Sequence, residues 1–396
     1  MADSPATLKM LQRFFEGIHY LIIDEKNMLG LQTFGWINRR LGEIFPHRRD
    51  EYFGGLNVII IGDFFQLPPV LQKPLFAVGG TLKKDEIVGR NAYQSFTHFV
   101  FLDTILRQQG EKQAAFRQAL QELRVAKTTT ASWELLASRC AVKLPPEEVE
   151  RFAKAPRIYP LKKQVNAYNQ KRMMDLAAAV IHVEATNDGP KAAQVDSQAA
   201  GNLSKSFPIC IGCRVMITRN IWSWAGLVNG AQSHVYDISW AERADVSRDP
   251  PEAIMVVFDK YKGPPFTLPD GSELRNDHGN PVIPIERVRQ EFTIRGASCS
   301  RLQFPLMISY AVTVHKSQGL TLEKVVCNIS KPEFASGLSY VAVLRVSNLF
   351  GLMFDCPFSR NRIYHEVPLH SMQMRLDDDE RRRQQRLEEP LYVLEL

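Results

Sequence analysis

The sequence predicts an α/β protein that carries a small antiparallel β-barrel as an insertion. Three observations predict it. Two continuous apolar runs, Tyr20 to Ile23 and Asn57 to Ile61, end abruptly in polar residues, as parallel strands buried on both faces do. From Arg214 the texture changes to short strands separated by turn signals. After Pro305 the mixed α/β texture returns.

The first run reads YLIIDEKNMLG, with Asp24 and Glu25 following the strand directly. Ligands of open α/β sheets gather at the carboxyl ends of such strands. An Asp there can hold Mg²⁺ through water, and a neighbouring Glu can polarise an attacking water. Acids opening the next helix fit the pair equally well. An amphipathic stretch, Leu31 to Leu41, comes next. The second run ends in GDFFQLPPV, where Asp63 closes the strand, Gln66 lies one short turn beyond, and Pro68-Pro69 stop regular structure. Gln66 can sense a γ-phosphate, as glutamines do in other nucleotide hydrolases, or cap a loop.

A third apolar stretch, His98 to Leu102, leads to Arg107, which reads as a surface ion pair or a site residue. A helix follows with Phe116, Ala119, Leu120 and Leu123 on one face, then another around Leu135. IYPLKKQVNAYNQKRMM is a strand-to-helix unit whose Lys162, Lys163, Lys171 and Arg172 suit a solvated face or phosphate contact. Glu184 to Asn202 is polar and reads as a surface connection. RVMITRN, GLVNGAQ, HVYDISW, AIMVVFDKY, VIPIERV and EFTIRG are the strands of the expected barrel. Leu306 to Val314 is helix or strand. His315, Lys316, Ser317 and Gln318 then cluster before Gly319, a pattern of functional loops. GLSYVAVLRVSNLFGLMF is helix then strand, with Arg345 at the junction. Asp377, Asp378 and Asp379 stand four residues before Arg381, Arg382 and Arg383, which predicts a solvated surface helix ending near Pro390.

Composition narrows the function. The 49 basic and 43 acidic residues leave +6, which permits nucleic acid as a partner. Six cysteines are too sparse for a disulfide framework and point to a reducing, intracellular setting. Cys210 and Cys213 form a lone C-x-x-C, read as structural because no second pair stands at zinc-ribbon spacing. No run reaches the ~18 apolar residues of a membrane span, and the start lacks a secretory h-region.

LIIDEKNMLG, GDFFQLPPV, LRQQG, TVHKSQGLTL and SYVAVLRVSNLFGL, with GLVNG besides, resemble the PIF-type (petite integration frequency) DNA helicases, a RecD-like branch of superfamily one. The likeness spans roughly Leu8 to Phe358, and it extends to helicases carried by fungal genomes and helitron-type transposons. It implies two RecA-like domains of P-loop-NTPase type, with ATP between them and single-stranded DNA across the top. The first domain would occupy 1–107 and the second 108–220 with 305–370. The barrel would span 221–304, and 371–396 would form a charged tail. Asp24 and Glu25 would be the Walker B pair, Asp24 holding Mg²⁺ through water and Glu25 acting as general base. Gln66 would couple phosphate state to DNA, and Arg107 and Arg345 would face the γ-phosphate from the second domain. Thr313, His315, Ser317 and Gln318 would line the DNA path, with Gly319 on the nucleotide side. The resemblance implies ATP-driven 5′-to-3′ unwinding in DNA repair, recombination or telomere maintenance, in nucleus or mitochondrion.

The sequence departs from that pattern at its most diagnostic point. It contains no G-x-x-x-x-G-K-[ST], and 23 residues precede Asp24, fewer than a P-loop strand and helix need. Asn27, Leu344 and Ser233-His234 stand where the family commonly has Ser, Ser and Gly-Thr, and Leu344 puts the hydrogen bonding around Arg345 in doubt. Two expectations follow: the C-terminal portion of an ATP-dependent helicase with an incomplete first domain, or a non-catalytic DNA-binding relative. Without a central strand, uncovered edges and apolar faces predict poor solubility.

Overall fold

The computed structural model describes residues 5–246, 248–294 and 296–387. The chain divides into two compact units, Met1–Leu144 with Ile329–Leu396, and Pro145–Asn328. The first unit starts with helix α1 (Pro5–Phe14), strand β1 (Tyr20–Ile23), α2 (Leu31–Ile44) and β2 (Asn57–Ile60). It continues through α3 (Lys84–Gln94), α4 (Ala114–Arg124) and α5 (Thr130–Ala137). β1 and β2 pair in parallel, with Tyr20 opposite Asn57 and Ile23 opposite Ile60. Leu21, Ile23, Val58 and Ile60 pack onto a core of Leu31, Phe34, Phe53, Phe64 and Tyr93. α2 and α3 cross so closely that a Cβ on Gly89 would lie 1.9 Å from the Leu31 carbonyl oxygen, so only glycine fits there.

The expectation of strands buried on both faces holds for one face. Tyr20 is 64% and Ile22 63% exposed, with Ile59 and Ile61 exposed beside them. Period-two alternation puts these four side chains opposite the core, and burial there needs a second covering layer. The third apolar stretch, His98 to Leu102, forms no strand. Phe99 alone makes a parallel bridge, to Arg386, its N–H donating to the Gln385 carbonyl at 3.2 Å.

In the second unit α6 (Pro146–Glu150) leads into β3 (Arg157–Tyr159) and α7 (Lys162–Met174). Then come β4 (Ile181–Glu184), β5 (Thr186–Asp188), β6 (Ser206–Ile209), β7 (Arg214–Ile217), β8 (Gln232–Ser239) and β9 (Ala253–Phe258). β10 (Ile283–Glu286), β11 (Val288–Ile294), β12 (Ala297–Gln303), β13 (Leu306–Ile308), β14 (Ala311–Thr313) and β15 (Val325–Cys327) complete it. Leu306 to Val314 thus resolves into two short strands. β14 and β15 flank β3 in parallel.

Where the sequence predicts a barrel over 221–304, the strands lie in open antiparallel sheets. One has the order β10-β9-β8-β7-β13, a second β11-β12-β5, and β4 pairs with β6. The five-stranded sheet takes in β7 and β13 from outside the expected span, with β10 and β13 as its edge strands. Ile209, Val215, Ile217, Val235, Ile254 and Phe304 form its core, with Cys210 and Cys213 among them. The polar connection from Glu184 to Asn202 is also more ordered than its composition suggests. Fully buried Arg301 donates to Asn187 Oδ1 (2.8 Å) and to the carbonyls of Ala192 (3.0 Å), Val195 (2.8 Å) and Leu203 (3.0 Å). One guanidinium with five donors organises the whole segment.

The chain returns to the first unit with α8 (Leu338–Val343), β16 (Leu352–Phe354) and α9 (His370–Gln384). α9 is the expected solvated helix, yet Arg375, Asp378, Asp379 and Arg382 are buried. Arg382 and Arg383 pair with Asp378 and Asp379, each at 2.8 Å. Arg381, expected on Asp377, turns to Asp378 at 3.0 Å, and Asp377 accepts from Gln373. The helix is docked rather than solvated: Tyr93 Oη donates to Asp378 at 2.9 Å and Arg375 to the Phe65 carbonyl at 3.1 Å. Its expected stop near Pro390 lies outside the described residues. Segments 108–144 and 329–370, expected in the second RecA-like domain, pack in the first unit, where Arg124 of α4 reaches Asp63.

Candidate functional site

The carboxyl ends of β1 and β2 are locked side by side. Lys26 N–H donates to the Ile61 carbonyl at 2.8 Å. Gly62 is required at this crossing: it has φ +138°, and a Cβ would stand 2.8 Å from Lys26 N and 3.0 Å from Asn27 Oδ1. Glu25 takes left-handed φ 54°, ψ 46°, a conformation costing an ordinary side chain about 1 kcal/mol or more.

Asp24 is exposed, and its Oδ1 accepts the Glu25 N–H at 2.7 Å. Glu25 is half-buried. Burial chiefly, then the charge of Asp24, raises its pKa above the usual glutamate value, while Arg345 and a hydrogen bond with Asn27 oppose the rise. That environment makes the Glu25 carboxylate a stronger base than an exposed glutamate. Arg345 is buried, with Nε donating to the Val341 carbonyl at 2.8 Å. Arg107 donates to the Leu344 carbonyl at 3.0 Å, and Gln108 to that of Val346 at 2.6 Å. LRQ and LRV are therefore clamped together through main-chain carbonyls. The Leu344 side chain takes no part in this clamp, so the departure from Ser leaves it intact.

Gln66 donates its N–H to the Asp63 carbonyl at 3.0 Å, and its own carbonyl lies 3.1 Å from where a Cβ on Gly337 would stand. The GDFFQ loop thus abuts the start of α8. Asp63 is fully engaged. It accepts from Arg124 at 2.9 and 3.3 Å, from Phe65 N–H at 3.1 Å and from Tyr340 Oη at 3.5 Å. Arg124 also stacks over Phe65 at 3.8 Å. A cavity of about 490 Å³ adjoins this pair, lined by Pro68, Arg124, Glu333, Tyr340 and Arg375 but by neither Asp24 nor Glu25. Sequence reading missed Arg124, the last residue of a helix recognised only by its apolar face. It also missed Lys26, buried beside the acid pair and lowered to about 8 by desolvation and by Arg382.

The second unit gathers the other expected residues on one turn. β14 and β3 end together, Thr313 opposite Tyr159, and a 3₁₀ turn spans His315–Ser317. Thr313 Oγ1 accepts the Lys316 N–H at 3.3 Å. Buried Ser317 donates Oγ–H to the Val314 carbonyl at 2.8 Å. Gln318 presents amide nitrogen and oxygen atoms that are both buried and without a hydrogen-bond partner among the described residues. Gly319 has φ +77°. Burial, then the charge of Lys162, lowers the pKa of both His315 and Lys316. Lys162 therefore belongs to this cluster. The parallel pairing of β3 with β14 brings it there, and no local pattern reveals it.

The profile of the PIF1-like helicase family matches residues 6–131. Over 358 residues the chain is 29% identical to the ATP-dependent DNA helicase PIF1 of Danio rerio, covering 89% of this chain and 48% of that protein. It is 25% identical over 350 residues to ATP-dependent DNA helicase Pif1 of Campylobacter jejuni, covering 86% of this chain and 70% of that one. The crystal structure of Pif1 helicase from Candida albicans superposes with TM-score 0.65 at 24% identity, over 93% of this chain and 78% of that chain. Bacteroides Pif1 in complex with ADP-AlF3 and single-stranded DNA gives 0.62 at 24%, over 96% and 78%. The chain spans about half the length of the zebrafish relative. In sequence and fold it is similar to the Pif1 helicases, and the fold is that of their two RecA-like domains.

Proposed function

We propose, from this kinship with the Pif1 helicases, that the chain is a portion of an ATP-dependent 5′-to-3′ DNA helicase that translocates on single-stranded DNA. The observation that carries the reading is the electrostatic coupling of Glu25 to Asp24 and Arg345, with Arg107 bonded to the carbonyl of Leu344 beside that arginine. The donor chemistry fits Mg²⁺, which commonly takes one carboxylate plus water and phosphate oxygens. Asp24 would hold it, and bound Mg²⁺ would neutralise phosphate charge. Glu25 would hold the proton lost by an attacking water, a role its raised pKa suits. Arg107 and Arg345 would stabilise charge developing on the transferred phosphoryl group, and Gln66 would report phosphate occupancy. No residue here is assigned the phosphate cradle, because the 396 residues lack G-x-x-x-x-G-K-[ST]. Thr313, His315, Ser317 and Gln318 would line the strand, and Gly319 would approach the nucleotide. A DNA partner places the protein inside the cell, in nucleus or mitochondrion by kinship, with repair, recombination or telomere maintenance as the family's settings. No helix among the described residues is long and apolar enough to cross a membrane.

A second reading for these 396 residues is a non-catalytic relative that binds DNA. DNA-stimulated ATP hydrolysis by the 396-residue chain separates the two. Turnover abolished by Glu25→Gln supports the enzyme reading and excludes the non-catalytic one. DNA binding without turnover supports the second reading, and absence of both defeats each.

A further inference from the structure

The loop between β7 and β8 carries a feature that the proposed chemistry leaves unused. Trp222 and Trp224 stand side by side at its tip, ring centroids 5.9 Å apart and planes tilted 34°. They are 43% and 73% exposed. A lone exposed aromatic needs no explanation, but two adjoining indoles flanked by exposed Ile221 and Val228 form a patch.

The hairpin beneath them is closed by main-chain hydrogen bonds. Ile221 and Trp222 N–H both donate to the Leu227 carbonyl (2.9 and 3.1 Å), and Leu227 N–H returns to Trp222 at 3.0 Å. Ala225 and Leu227 anchor it in the β-sheet core, and Asn220 Oδ1 accepts the Asn229 N–H at 2.9 Å. The indoles are therefore held outward by residues that are themselves buried.

Three further contacts give the patch its surroundings. Lys262 N–H donates to the Ala225 carbonyl at 3.0 Å, and the Lys260 carbonyl lies 2.9 Å from where a Cβ on Gly226 would stand. Exposed Lys260 and Lys262 thus flank the hairpin. At the hairpin's other end, a Cβ on Gly230 would fall 2.7 Å from Leu320 Cδ2. Leu320 is two residues past Gln318, so the hairpin adjoins the His315–Gln318 turn directly.

We infer that Trp222 and Trp224 form a stacking ledge for the bases of single-stranded DNA, with Lys260 and Lys262 meeting its phosphates. This rests on the single-stranded DNA reading above and extends its path beyond the Thr313–Gln318 turn. Flat indoles take any base, because every base offers a π-face, and flanking lysines supply the sequence-independent attraction.

Fluorescence anisotropy with fluorescein-labelled dT20 tests it on the full chain, alongside a strand of equal length made of abasic nucleotides. Trp222→Ala with Trp224→Ala is expected to weaken dT20 binding about tenfold or more, with melting unchanged. The Trp222→Tyr, Trp224→Tyr pair is expected to stay within about threefold of wild type, since a stacking ring remains. Wild type should bind the abasic strand as weakly as the double-alanine variant does. Should that variant melt early, Trp224→Ala alone, at the more exposed position, carries the test. Equal dT20 affinity for the alanine variant and wild type overturns the ledge while leaving the DNA reading standing. So does unchanged dT20 binding accompanied by loss of self-association in sedimentation, which would mark a protein contact. Wild type that binds no dT20 overturns the DNA reading and the ledge together.

Discussion

Residue by residue, burial decides which polar groups are available for chemistry. Asp63 follows β2 as Asp24 follows β1, yet Arg124, Phe65 N–H and Tyr340 occupy its carboxylate, whereas Asp24 remains exposed with one oxygen accepting the Glu25 N–H. Glu25 is tuned by partial burial, and its left-handed backbone lies against the Gly62 crossing. The cysteine pair shows burial acting on stability. Cys213 is fully buried, and desolvation pushes its thiol up to about 12 from an unfolded value near 9. The unfolded chain therefore loses this proton first. The group's stabilising contribution is complete below pH 9 and falls as pH rises toward 12, by about 1.4 kcal/mol per pH unit within that window. Urea unfolding of wild type and Cys213→Ala at pH 8 and pH 10 should show a difference that shrinks by about 1 kcal/mol at the higher pH. A pH-independent difference would mean the thiol ionises equally in both states.

Among the elements, α9 diverges furthest from its sequence. Its i,i+4 charge pairs suit a solvated helix, and two of the three form. Spacing cannot tell that the same charges also satisfy Tyr93 and sit over Phe64, because those partners lie far upstream, Tyr93 at a separation of 285 from Asp378. The helix is held by a buried polar network, which is costly to break at one member. Asp378→Ala removes the acceptor of Tyr93 Oη, Arg381 and Arg382 at once. It should cost about 3 kcal/mol, the lower end of the range for breaking a buried pair, since Arg382 keeps Asp379. Urea denaturation measures it, and a loss under about 1 kcal/mol would show that α9 is not docked in solution.

For the whole molecule, the uncovered sheet face sets behaviour. Tyr20, Ile22, Ile59 and Ile61 form an apolar strip over two strands, the kind of surface that drives association. Sedimentation velocity should show wild type self-associating at micromolar concentration. Ile22→Lys with Ile59→Glu should shift it toward monomer while changing stability by about 1 kcal/mol at most, because both side chains are largely exposed and the opposed charges are of opposite sign. A monodisperse wild-type monomer would contradict this account of the face.

What the sequence determined by itself was the chemistry of short stretches. Apolar runs ending in acids, the GDFFQLPPV and HKSQG loops and the two arginines are local patterns, and backbone physics ties each to a strand end or turn. The tertiary structure decided what those patterns touch. It separated multiply bonded Asp63 from exposed Asp24, arranged the strands of the expected barrel in separate antiparallel sheets, and left one face of the β1–β2 pair exposed. It also brought Lys162 to His315, and Arg124 to Asp63, across long stretches of chain. These outcomes depend on non-local pairing and burial, and residue spacing along one chain encodes neither.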